Sequence, residues 1–244
     1  IININQIICI FLQVNHIYSL SNINPINYIN RKVLIKSTPI LYTIIGNNYN
    51  NNTDNKIISH QINNELPYNI DQFIVKLYDD INVNSCSNLT DTFDNIIATT
   101  KYIKTYYQLD DYKPYIDLHI QSLGGMLHPC FYVCDYIINS PIPINTYIDG
   151  YAASAASLIA VCGKKKYMTK HSSILIHQLS SSSSGNYREM KMEMINMDYM
   201  MENLADIYIN NTKLSINILH NLLYSEYWLD SKKCLEYGLV DEII

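Results

Sequence analysis

From residue 114 onward, apolar and polar positions regroup in a regular order. "PYIDLHIQ" sets Ile116, Leu118 and Ile120 on alternate positions, the period of a strand with one buried face. "SLGG" breaks the pattern as a turn, and "MLHPCFYVCDYII" then spaces its apolar residues as an amphipathic helix, with Pro129 tolerated in the first turn. "NSPIP" stops that helix and "INTYID" reads as a second strand. "GYAASAASLIAVCG" follows as a helix ended by Gly163. "KKKYMT" and "SILIHQ" read as two more strands in a hairpin joined by a "KHSS" turn. A serine tract precedes a long helix over 187–210, and shorter helices fit 214–224 and 231–237. Strands alternating with helices imply an α/β fold with a largely parallel sheet.

The first hundred residues are less regular. Residues 1–65 carry Asn-rich punctuation, with "NNYNNNTDN" at 47–55 fitting a loop or insertion, and "KVLIKSTPILYTII" fitting a strand or two. Apolar spacing over "NIDQFIVKLYDDI" (69–81) and "LTDTFDNIIATTKYIKTYY" (89–107) predicts two helices. The chain thus divides into a divergent region, 1–65, and an α/β domain, 66–244.

A chain of 244 residues with 48% hydrophobic and 16% charged positions is long enough and apolar enough for a substantial core. The formal charge of −5 gives no electrostatic reason to expect a nucleic acid or an anionic membrane as partner. Six cysteines show no CxxC pair and no metal-ligand spacing, which points to buried free thiols; Cys130 and Cys134 share one helix face. "IICIFLQV" (7–14) is too short for a membrane span and lacks the basic flank of a signal peptide. The chain begins at Ile1, which leaves a removed leader open; a cytoplasmic location is expected, with an organelle as the other case.

Chemistry concentrates at two strand-to-helix junctions. In open α/β sheets such junctions meet ligands, because helix N-termini point free N–H groups there. Gly124 and Gly125 occupy one junction, where a backbone without side chains can approach a substrate and aim its N–H groups at an oxyanion. Ser154 occupies the other. It follows a strand and opens an apolar helix, which is the logic of a nucleophile elbow, and the Ala155 N–H would then face developing negative charge. A serine in this place serves equally as a helix N-cap. Ser157 lies one turn further in and reads as helix packing. A serine nucleophile needs a base, and His177 at the end of "SILIHQ" is the histidine a sheet would bring back beside Ser154. His128 sits just past the glycines, where contact with substrate and a place on the helix surface are both open, and no chemistry follows from His119 within its strand.

"SLGG", "DGYAASAAS", "SILIHQL" and "WLDSKKCLEYGLVDEI", in that order, resemble the proteolytic subunit of the Clp protease, a self-compartmentalised serine peptidase family. The resemblance spans roughly residues 114–244. It implies a Clp-protease/crotonase-like spiral of ββα units with a protruding long handle helix. It assigns the nucleophile to Ser154, the base to His177, and the oxyanion hole to the N–H groups of Gly125, with Gly124 neighbouring, and Ala155. The third triad member falls on Glu226 in "SEYWLD", where the family usually has Asp; Asp230 is the nearest substitute acid. Other departures are Leu123 in place of proline in the glycine turn, Leu179 after "IHQ", and the "SSSSSG" tract (180–185) where the family has a glycine-rich strand.

The resemblance further implies a serine endopeptidase acting on unfolded polypeptides inside two stacked heptameric rings, fed by an AAA+ unfoldase, with no metal and no cofactor. The long helix carries six of the eight methionines on more than one face, which fits either a deeply packed core helix or a handle buried by another subunit. A catalytically inactive Clp ring subunit is the alternative. A serine–lysine signal-peptide peptidase would leave "IHQ" without a role, and a crotonase-like acyl-CoA enzyme has no need of a Ser-His-acid set.

Overall fold

The computed structural model describes residues 71–244, so the expected strands and loop of the Asn-rich region and the boundary near residue 65 lie outside the described residues. Within them, five strands form one parallel path. In spatial order these are β1 (Gln72–Leu77), β2 (Tyr115–Ser122), β3 (Ile144–Ala153), β4 (Lys166–Met168) and β7 (Glu242–Ile243). β5 (Ser173–Leu175) also pairs with β3, and β6 (Trp228–Asp230) runs antiparallel to β5.

The segment read as a helix over 69–81 forms β1 instead. Phe73, Ile74, Val75 and Leu77 fit a helical stripe, yet Val75 and Leu77 are buried on strand alternation, and each β1 residue pairs in parallel with β2 from Gln72↔Tyr115 to Leu77↔Ile120. A neighbouring strand with free edge groups outweighs local periodicity, and the β-branched pair Ile74 and Val75 suits the extended backbone.

The first helix, α1 (Val83–Tyr106), starts six residues before the expected place. Asn82 caps it by accepting from the N–H groups of Asn84 and Ser85, and the Ser85 hydroxyl accepts from Asn82 N–H in return. Cys86, Leu89, Phe93 and Ile96 form its buried stripe. α2 (Leu127–Ile138) buries Cys130, Val133, Cys134 and Ile137. α3 (Ala155–Val161) is buried at every position, because it is packed between α2, the sheet and the long helix α4 (Tyr187–Asn211). The chain closes with α5 (Ile216–Ser225) and α6 (Ser231–Glu236). Ile116, Leu118 and Ile120 on β2 are wholly buried against this helical layer, as alternation predicts.

Two further differences set up the site. β3 continues through Gly150, Tyr151, Ala152 and Ala153, residues expected to open the helix, so the helix starts only after Ser154. Nor do β4 and β5 form a hairpin. β4 pairs with Thr146–Ile148 and β5 with Tyr151–Ala153, both parallel to β3, so the two are consecutive stretches along one edge. Ser172 bridges the interruption: its hydroxyl donates to the Ile148 carbonyl at 2.9 Å and accepts from Gly150 N–H at 2.8 Å. The strand expected through "SILIHQ" ends at Leu175, two residues before His177.

The opposite face of the sheet carries polar and aromatic residues. The Asp117 carboxylate is buried between strands and accepts from Asn145 at 2.9 Å and Gln72 at 2.7 Å. His119 stacks on Tyr147, Tyr147 stacks on Tyr167, and His119 Nδ1 lies 2.8 Å from an Asp149 oxygen. Burial tends to raise the Asp149 carboxyl, but His119, Tyr78 and Lys76 together hold it below the ordinary carboxylate range. No helix among the described residues is long and apolar enough to cross a membrane.

Phe93 is wholly buried and joins α1 to α2 through Tyr136, with ring centroids 5.6 Å apart. Phe93→Ala is expected to cost about 3–5 kcal/mol of stability, read as a lower denaturation midpoint with an unchanged slope.

Candidate active site

β3 runs into Ser154 and α3 leaves it, and the backbone turns there at φ 55°, ψ −129°. A non-glycine residue in this region carries strain of about 1–3 kcal/mol, which persists only where the surroundings impose it. They do so here. Ser154 N–H donates to the Leu175 carbonyl at 3.0 Å, anchoring the elbow to the end of β5. The Ser154 hydroxyl makes no cap hydrogen bond to α3, so it does not serve as an N-cap. Ala152, Ala153, Ala155 and Ala156 are all buried, and their small side chains let the sheet, α3 and the glycine turn close on this point.

The glycine turn packs directly against the elbow. Gly124 has φ 98°, and a side-chain carbon placed on it would lie 2.6 Å from both the Ala153 carbonyl oxygen and Ser154 Cβ, and 3.0 Å from Ala155 N. Only glycine fits there. Gly125, at φ 147°, approaches Ile81 so closely that an added carbon would lie 2.2 Å from the Ile81 carbonyl oxygen. Ile81 holds the turn from both sides, donating to Gly124 O and accepting from Met126 N–H, each at 2.8 Å. The Gly124 N–H is taken by the Ser122 hydroxyl at 3.1 Å. The N–H groups of Gly125 and Ala155 have no acceptor among the described residues, which leaves both available for an oxyanion.

Ser154, His177 and Gly125 line one small cavity of about 60 Å³, together with Leu127, Leu204 and Tyr208. His177 Nδ1 lies 2.7 Å from the Gln178 backbone carbonyl. A carbonyl can only accept, so the proton sits on Nδ1 and the Nε2 lone pair is left to act as a base. Gln178 itself is tied to α5, its N–H donating to the Leu223 carbonyl at 3.1 Å.

Glu226 follows α5 in a left-handed conformation, φ 50° and ψ 42°, with its N–H donating to Leu222 O. It is exposed, does not line the cavity, and its carboxylate makes no hydrogen bond among the described residues. The structure therefore groups Ser154, His177, Gly125 and Ala155, and leaves Glu226 three residues beyond the Leu223 contact that binds the histidine segment. Asp230 is engaged elsewhere, capping α6 by accepting from Lys233 N–H at 2.8 Å. His128 packs edge-on to Phe131 on α2, and the serine tract after Leu179 is exposed and without regular structure.

Sequence reasoning missed three contributors here. The Gln178 carbonyl is a backbone group and leaves no residue signal. Ser157, read as packing, hydrogen-bonds the Ser154 carbonyl at 2.6 Å, and Tyr208 reaches it from α4, also at 2.6 Å. A larger groove of about 810 Å³ opens at the other end of the sheet, beside the first residues of β2, β3 and β4. Lys101, Lys104, Lys113, Lys164 and Lys165 line it, and it holds no serine, cysteine or histidine to act as nucleophile or base.

The chain is 28% identical over 161 residues to the ATP-dependent Clp protease proteolytic subunit 1 of Protochlamydia amoebophila, covering 64% of this chain and 78% of that protein. It is 29% identical over 133 residues to the ATP-dependent Clp protease proteolytic subunit of Streptococcus mutans, covering 53% and 68%. The corresponding subunit 1 of Chlamydia muridarum is 26% identical over 129 residues, covering 51% and 67%. The sequence model described as Clp protease matches residues 69–244, a span that takes in the whole described sheet and both junctions, and the chain belongs to the Clp protease family.

Proposed function

We propose that the chain is the proteolytic subunit of an ATP-dependent Clp protease, a serine endopeptidase in which Ser154 is the nucleophile and His177 the base. The observation that carries this reading is the strained Ser154 elbow, whose uncapped hydroxyl shares a cavity with His177 and abuts the Gly124–Gly125 turn. Ser154 Oγ attacks the scissile carbonyl carbon while its proton passes to His177 Nε2. The substrate oxygen takes the negative charge and lies against the N–H groups of Gly125 and Ala155. His177 returns the proton to the departing amine, leaving an acyl-enzyme. Water, activated by the same histidine, then releases the acid and restores Ser154.

Glu226 is the acid of the set. The contact between Gln178 and Leu223 ties the helix that Glu226 ends to the histidine segment, which is what supports this assignment. The Gln178 carbonyl already holds the required tautomer, so the demand on Glu226 is smaller than on the acid of a fully formed triad.

α4 supports assembly as the handle of an oligomeric chamber. Leu204 and Tyr208 are its buried residues, and Met190, Met192, Met194, Ile195 and Tyr199 are exposed large hydrophobic residues along its first half. The first half of the helix is thus left uncovered by the described residues, while its second half packs into the core. Its unpartnered apolar surface fits burial by a second subunit in two stacked rings, with an AAA+ unfoldase delivering unfolded polypeptide.

A fluorophosphonate probe is expected to label the chain at Ser154 alone. Ser154→Ala and His177→Ala should each abolish Ser154-dependent cleavage of a fluorogenic peptide, and Glu226→Gln should lower kcat by about tenfold, well short of the loss at a fully formed triad acid. Full activity in Ser154→Ala would overturn the reading. Separately, Ile195→Asp should lower the mass of the native assembly without unfolding the subunit, as native mass spectrometry and circular dichroism would show.

A further inference from the structure

Behind the elbow, a buried chain of hydroxyls connects α4 to the peptide bond that follows Ser154. Resting on the serine-peptidase reading above, we infer that Tyr208 and Ser157 are positioning residues that fix the direction of the Ala155 N–H as an oxyanion donor.

The Ser154 carbonyl accepts twice from Ser157, from its N–H at 3.0 Å and its Oγ at 2.6 Å. A serine hydroxyl has one proton. Two carbonyls lie in reach of the Ser157 hydroxyl, Ser154 at 2.6 Å and Leu175 at 3.4 Å, and it donates to the nearer, so the Tyr208 phenol, 2.6 Å away, donates to Ser157 Oγ. The order is therefore Tyr208 O–H to Ser157 Oγ, then Ser157 O–H to Ser154 C=O.

The last acceptor belongs to the same planar unit as the Ala155 N–H. A trans peptide points its C=O and N–H in opposite directions, and rotation about the bond between them is blocked. Holding the Ser154 oxygen toward the interior therefore aims the Ala155 N–H outward, beside Gly124. The next peptide is held too, because Cys130 Sγ lies 3.0 Å from the Ala155 carbonyl as its donor. A helix as short as α3 could otherwise tilt its first turn against a strained residue.

Tyr208 suits the role. It is 2% exposed, and burial holds its phenol well above the ordinary value, so it remains a donor. It also lines the cavity that contains Ser154 and His177, so the relay begins beside the site and ends in its backbone. Each donor polarises the next, which strengthens the final bond to the carbonyl. A purely structural role would satisfy these buried hydroxyls equally well, and the two roles separate in kinetics.

The test uses the assembled protein with a short fluorogenic peptide and a peptide boronate, whose tetrahedral adduct places an oxygen on the oxyanion donors. Removing an oxyanion donor outright costs about 100- to 1000-fold in kcat, and misaiming one should cost less, about tenfold. Tyr208→Phe is expected to lower kcat by that factor with KM unchanged and to weaken boronate binding in parallel. Ser157→Ala should do the same, and the double variant should fall no further. If Tyr208→Phe loses its fold by circular dichroism, Ser157→Ala, which leaves α4 intact, decides. Wild-type kcat and boronate affinity in the folded variants, or losses confined to thermal stability, would overturn the inference while leaving the peptidase reading intact. Absence of any Ser154-dependent hydrolysis in the unaltered chain would instead overturn the peptidase reading itself.

Discussion

The backbone of Ser154 is held where an L-residue does not rest by itself, and most of the fold serves that constraint. A sharp reversal between β3 and α3 exposes a hydroxyl at the head of a helix while both flanking elements stay buried. The strain is balanced from three sides. β5 takes the Ser154 N–H, Ser157 takes its carbonyl, and Gly124 presses against its Cβ from the neighbouring junction. The residue is thus confined by contacts from the glycine turn after β2, from β5 and from its own helix, which is how a local cost becomes a fixed geometry.

The neighbouring features follow from the same requirement. A register shift between β2 and β3, from Ile120↔Ile148 to Ser122↔Ala152, lets the glycine turn arrive beside the elbow. Gly150 lies within that irregular stretch at φ 96°. The interruption between β4 and β5 answers it on the other edge, and β5 resumes pairing where the anchor for Ser154 is needed. Parallel strands with helices on one face bring all of these ends to one side of the sheet, where open α/β sheets receive ligands.

Much of this was legible in the sequence because the strongest signals are local. Alternation placed β2, the GG pair and small residues marked the two junctions, and the order of strand and helix gave the parallel sheet. The misread elements have physical reasons. β1 has helix-compatible spacing and becomes a strand only because β2 offers it an edge. The length of β3 was hidden because Gly150 and two alanines resemble a helix start, yet Tyr151, Ala152 and Ala153 pair with β5. Ser154 and His177 could be named from order and neighbourhood. The contact of Tyr208 with Ser157 joins residues 51 apart in sequence, and no pattern in either segment announces the other. Glu226 was named by resemblance alone, and its exposed, left-handed position gives it the weakest physical tie of the set.

The thiols have a use that follows from their seclusion. Cys86, Cys130, Cys134, Cys162 and Cys234 are all buried and unpaired in disulfides. Hydrogen bonding among thiols, with burial, pushes Cys134 and Cys162 far above the ordinary range, and burial pushes Cys234 up to about 12. None of these three offers a thiolate to an alkylating reagent while the domain is closed. Their labelling then proceeds only as fast as the structure opens. Cys130, in contact with the first residue of α3, makes that opening readable at the elbow itself, so the protein carries its own clock for local unfolding beneath Ser154.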